Sequence, residues 1–213
     1  MSSNSWETQA QTARDTLEKS IQKQWLLPAD KLPSPDRLNV IDVPQECGLL
    51  SHEELQITET DATGLVEKMS LGAWTAETVL VAFMKRATIG HQLVCHDSLC
   101  FYTCLSDHSQ LNFATEFMFE EALEQARALD EHFRRTGSIV GPLHGVPISV
   151  KEMVSFKNRV THTGFVGWAD RVSPVDAVMV NVLRRAGAVL FVRTNLPQTC
   201  MVRKEQVSQF LDH

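Results

Sequence analysis

A chain of 213 residues with 43% hydrophobic and 22% charged residues has the balance of an ordinary globular protein and the length of one domain or a large part of one. Its formal charge of -6 comes without a long basic run, which excludes nucleic acid and anionic membrane as expected partners and leaves a small molecule. The polar start from Met1 to Ser20, the lack of any stretch of roughly 20 apolar residues, and five cysteines without framework spacing together predict a cytoplasmic protein with reduced thiols.

From Trp6 to about Leu27 the pattern predicts a helix, ended by Pro28 because its ring cannot continue the hydrogen-bond ladder. Pro33, Pro35 and Pro44 predict a linker. Ser51 with Glu54 three residues later is a capping-box pair, opening an interrupted helical stretch to about Met69 that Gly72 breaks. Thr75 is the expected N-cap of a helix to about His91, with Val79, Leu80, Phe83 and Ala87 on one face. A longer helix is predicted from Asn112 to Thr136, where Phe113, Met118, Ala122, Leu123, Ala126, Leu129 and Phe133 recur in the same rhythm and Gly137 is the stop. Both stripes read as core rather than as a ligand groove.

The register then changes. Val146–Lys151 is a short apolar run and predicts a buried strand that ends in a charge. After a loop rich in Thr, Gly and Trp come a helix from about Val175 to Ala186, Gly187 as its stop, and a second strand from Ala188 to Arg193. Strand, helix, strand is a crossover unit, so the two strands are expected to be parallel in a sheet covered by helices. The fold class is therefore α/β, with 1–140 mainly helical and 141–200 forming the strand–helix–strand part of a single domain.

Five segments, ordered along the chain, carry a family likeness. Gly141-Pro-Leu-His-Gly-Val-Pro-Ile-Ser-Val-Lys-Glu152 resembles the lysine motif of the amidase-signature family. Asp176-Ala177 with Leu183-Arg-Arg-Ala-Gly-Ala188 resembles the helix that follows in that family, and Arg193-Thr-Asn-Leu-Pro-Gln-Thr199 its next strand and turn. Trp74-Thr-Ala-Glu77 and Phe113-Ala-Thr-Glu-Phe117 are similar to the fungal acetamidase branch in particular. A strand-end lysine by itself is an ordinary surface residue; the motif around Lys151 sets it apart.

The resemblance implies a large mixed sheet and a mechanism using a serine, a second serine held in a cis peptide, and a lysine, related to the hydrolase triads. Lys151 occupies the position of the catalytic lysine. A lysine acts as a base only when neutral, and burial at the end of an apolar strand favours that form. No cofactor and no metal are implied. The loop from Thr161 to Trp168 and the segment from Thr194 to Gln198 are expected to line or support the site. The implied reaction is hydrolysis of a small carboxylic amide to carboxylate and ammonia.

The family's nucleophile lies in a later loop rich in glycine and serine, whose N–H groups build the oxyanion hole. After Gly187 the sequence has no glycine, and its one further serine is Ser208. The chain is thus read as the amino-terminal part of the domain, truncated before the nucleophile and inactive alone, with apolar faces left uncovered and a complete amidase or a second copy as possible partners. A pseudoenzyme or binding subunit, and an amidotransferase-branch subunit, are the competing readings.

Val94–Gln110 has no counterpart in the family pattern, and joining Leu93 to Leu111 restores it. Codons for Val94-Cys95 and Gln110 can supply splice donor and acceptor sites, so this segment is expected to be a retained intron, with a second donor at Val202-Arg203, where the likeness fades after Met201. Cys95, His96, Cys100, Cys104 and His108 within it lack the short spacing of a zinc hook and predict no metal site.

Overall fold

In the computed structural model, which describes residues 6–34, 37, 39–93, 113–197 and 200, three strands form one mixed sheet: β1 (Ala114–Phe117), β2 (Pro147–Lys151) and β3 (Val189–Thr194). Their order is β1-β3-β2, with β3 antiparallel to β1 and parallel to β2. The parallel pair is the predicted crossover, joined through helix α7 (Val178–Arg185), which six helices precede among the described residues.

Those six are α1 (Trp6–Ser20), α2 (Val43–Glu46), α3 (His52–Glu59), α4 (Ala62–Ser70), α5 (Ala76–Gln92) and α6 (Phe119–Thr136). The Ser51–Glu54 capping box is made in full, with each side chain accepting from the other's backbone N–H. Thr75 caps α5 as expected. Gly137 ends α6 at φ 66°, the left-handed geometry that glycine adopts without a Cβ penalty.

β3 is buried along nearly its whole length because both of its faces are covered. One face meets α5 and α6 through Leu80, Ala122, Phe117, Phe119, Val189 and Phe191. The other meets α7 and the loop that precedes it through Val150, Phe156, Val180 and Leu190. A further cluster of Leu27, Val43, Cys47, Leu50, Ile89 and Leu93 ties the amino-terminal segment to the end of α5.

Four expectations need correction. The helix predicted from Asn112 is a strand over Ala114–Phe117 followed by α6, because β1 pairs with β3 about eighty residues later and local periodicity carries no sign of that partner. α1 stops at Ser20 rather than near Leu27. Ser20 Oγ donates back to the Leu17 carbonyl and accepts from Phe117 N–H, and Trp25 in the 3-10 turn that follows packs edge-on to Phe119. Pro44 lies not in a linker but in the first turn of α2, buried, where its missing N–H costs nothing. β2 is only half buried: Val150 is enclosed while Ser149 and Lys151 are exposed, since β3 is its one neighbour among the described residues.

Uncovered apolar surface is present as expected. Val178, Met179 and Val182 form an i, i+1, i+4 patch on the outward side of α7, with Val178 80% exposed, and Val175 just before the helix is exposed as well. The segment Val94–Gln110, its cysteines and histidines, and the residues from Met201 onward lie outside the described residues.

Candidate active site

The carboxyl ends of parallel strands are where an α/β sheet holds its ligands, because the loops that leave them diverge and open a crevice. β2 and β3 end side by side at Lys151 and Thr194, which are register partners. Lys151 is exposed, and its ammonium donates to the Asn195 carbonyl at 2.9 Å. The apolar enclosure expected around it is not formed by the described residues, because β2 is an edge strand and nothing packs over its end.

The next residue is buried instead. Glu152 is 1% exposed. Its N–H donates to the Thr194 carbonyl at 2.9 Å, which carries the strand pairing one step past Lys151. Its carboxylate then accepts from two successive backbone amides of the next loop, His162 N–H at 2.7 Å and Thr163 N–H at 2.9 Å. Thr163 stands at φ 52°, a left-handed conformation unusual for a β-branched residue, and this pair of hydrogen bonds helps to hold it there. His162 Nδ1 accepts from Gly164 N–H at 3.0 Å.

Arg193, 2% exposed, closes the charge balance under Glu152. Its Nη2 donates to the Glu152 carbonyl at 2.7 Å and lies 3.5 Å from the carboxylate, while Nη1 pairs with Glu116 on β1 at 3.2 Å. Phe156 lies under the guanidinium, its ring centroid 5.7 Å away. Arg159 of the loop bridges Glu116 and Glu121, and Asp176 accepts from Lys157 N–H at 2.8 Å. These contacts pin the loop after β2 at three points. Two buried atoms of this network, Arg193 Nε and Thr161 Oγ1, have no hydrogen-bond partner among the described residues, as does His91 Nδ1 elsewhere in the core.

A cleft of about 620 Å³ lies on the α1 side of this network, lined by Thr12, Thr16, Glu116, Arg159, His162 and Asn195 among others. Lys151 is not on its wall. Of the predicted loop, His162 and Thr163 are drawn to β2 through Glu152 and Thr161 N–H donates to the Arg171 carbonyl, whereas Phe165 and Trp168 pack on one another at 4.8 Å with Arg171 over the Trp168 ring. Thr194 and Asn195 meet Glu152 and Lys151; Gln198 lies outside the described residues.

Sequence reasoning singled out Lys151 and passed over Glu152, Arg193, Glu116 and Arg159. The available signal was a charge closing each of two apolar strands, Lys151-Glu152 and Arg193, since a charge at such a place is buried only when paired. No group of three or more His, Cys, Asp or Glu side chains able to hold a metal occurs among the described residues. No helix among them is long and apolar enough to cross a membrane.

Comparison with known proteins agrees with this architecture. The acetamidase of Emericella nidulans is 40% identical over 93% of this chain and 32% of its own length. The acetamidase of Aspergillus oryzae is 39% identical over 95% of this chain and 33% of its own. Among solved structures, a fatty acid amide hydrolase superposes with a TM-score of 0.79 at 33% identity, over 93% of this chain and 32% of that one. The chain thus spans about a third of the length of the curated relatives it matches. The family profile described as Amidase matches residues 101–211. That match takes in the lysine motif, α7 and β3. The chain belongs to the amidase family.

Proposed function

We propose that this chain supplies the lysine-bearing part of an enzyme that hydrolyses small carboxylic amides, with Lys151 as the base. The observation that supports this most directly is the placement of Lys151 at the carboxyl end of β2, inside the matched family segment and beside a buried, fully bonded glutamate. In the reaction, a serine hydroxyl that gives up its proton to Lys151 through a second serine adds to the amide carbonyl carbon. The C–N bond breaks as ammonia leaves with the proton, and water cleaves the acyl-serine ester to release the carboxylate. By the resemblance, both serines and the oxyanion donors come from a later part of the family domain, which also encloses the lysine so that its neutral form is favoured.

The test compares two proteins for ammonia release from acetamide. One is the 213-residue chain; the other joins residues 1–201, with and without 94–110, to the two thirds of the Emericella nidulans acetamidase that this chain does not match. The isolated chain is expected to release none. The fusion is expected to be active, and Lys151→Ala to lower its kcat by at least 100-fold. A fusion that keeps its rate after Lys151→Ala would remove the lysine from the mechanism, and an active isolated chain would show that the nucleophile lies within these residues.

A further inference from the structure

We propose that Glu152 is a positioning residue, whose buried carboxylate fixes the His162–Thr163 backbone as a wall of the amide site beside Lys151. The inference rests on the reading of Lys151 as base. A carboxylate this deeply buried is expensive to desolvate, and a cheaper residue would serve if only a strand end were needed. The cost is offset by interactions that all fix direction: two amides converge on the two carboxylate oxygens, one on each, while Arg193 holds the other side of the residue. Charge-assisted bonds to successive N–H groups define both the height and the rotation of a loop, as an anion-binding nest does.

The loop so fixed leaves the carboxyl end of β2 directly. Glu152 is covalently joined to Lys151 and bonded to Thr194, so the 162–163 backbone is locked to the lysine through one rigid residue rather than through a flexible connection. Thr163 at φ 52° shows that the loop is held in a conformation it would not choose by itself. Arg193, whose Nη groups span Glu116 on β1 and Glu152, relates this lock to the whole sheet. A site that must place an amide within reacting distance of its base needs such a wall to keep its geometry.

Glu152→Gln keeps the shape, but one of its terminal atoms becomes a donor facing a donor. In the 213-residue chain, hydrogen exchange at His162 and Thr163 is expected to speed by roughly 10- to 100-fold, the loss of one charge-assisted bond, while the amides of β3 keep their rate. Unchanged exchange at both positions would overturn the anchor. So would an equal acceleration throughout β3 that recurs in Glu152→Asp, which keeps the charge but is too short to meet both amides.

In the active fusion, Glu152→Gln is expected to raise KM about tenfold or more with kcat within threefold, and Glu152→Asp to lie between it and the parent. A fall in kcat at constant KM would mean fewer folded molecules and no positioning role. A fusion indifferent to Lys151→Ala would overturn the amidase reading, and the functional part of this inference with it, while the exchange data would still decide the anchor.

Discussion

The amino end of α5 is held by a residue that is nowhere near it in sequence, and removing that residue is expected to cost more than removing the local cap. The first four N–H groups of a helix have no partner within it. Here Thr75 Oγ accepts from Thr78 N–H at 3.0 Å, while Asp130, on α6, accepts from Ala76 N–H at 2.7 Å and from Glu77 N–H at 3.0 Å. Ala76 is fully buried, so water cannot replace its bond. Asp130→Ala therefore leaves two donors unpaired, at least one of them in the core, and also takes a negative charge from the positive end of a helix. Charge-assisted bonds contribute about 1.5–3 kcal/mol each and the dipole a few tenths more. Half-burial reduces the sum, and a loss of about 2–3 kcal/mol is expected. Thr75→Ala, at an exposed cap, is expected to cost about 1 kcal/mol, and Asp130→Asn, which keeps one acceptor, about 1–2 kcal/mol. Urea unfolding followed by circular dichroism gives the three midpoints at constant slope. The reasoning fails if Asp130→Ala proves no more destabilising than Thr75→Ala.

Two further predictions concern stability. Gly187→Ala places a Cβ 2.8 Å from the His144 Cα at φ 92°, so both the dihedral and the close approach to backbone oppose it; a loss of about 2–4 kcal/mol is expected as a lower thermal midpoint. Acid sensitivity is expected in two windows. Burial lowers the pKa of His91, so the folded form binds its proton less readily than the unfolded form, and stability present above the ordinary value near 6.5 falls as pH drops below it. His144 behaves likewise through burial, partly opposed by Asp130. Burial pushes the Glu54 carboxyl upward, but hydrogen bonds from Lys85 and Ser51 outweigh it and hold it below the ordinary value near 4.5. Its contribution is therefore lost only at lower pH, through its folded pKa. His91→Leu is expected to reduce the upper pH dependence to the part His144 contributes, leaving the lower window unchanged, and Glu54→Gln to reduce only the lower, read from urea midpoints between pH 3 and 7; the opposite pattern would refute the assignment.

The elements legible in the sequence are those whose cause is local. Ser51–Glu54, Thr75, Gly137 and Gly187 act within a few residues of themselves, so the boundaries they set agree with the structure. The crossover of β2, α7 and β3 was legible because a short apolar run, a helical stripe and a second run leave one sensible connection, and Lys151 because its motif is continuous along the chain. Elements with a distant cause were not legible. Phe113–Met118 reads as the start of a helix until β3 offers hydrogen bonds to it, and α1 ends where Ser20 meets β1 rather than where Pro28 would stop it.

The site divides in the same way. The sequence by itself determined which lysine stands at the end of which strand. Only the tertiary structure decided that Glu152 turns inward, that Arg193 lies beneath it, and that Glu116, Arg159 and the 162–163 amides complete the network. Burial and pairing of charge depend on which distant segments share a small volume, and that sharing is a property of the packed sheet, not of any local run of residues.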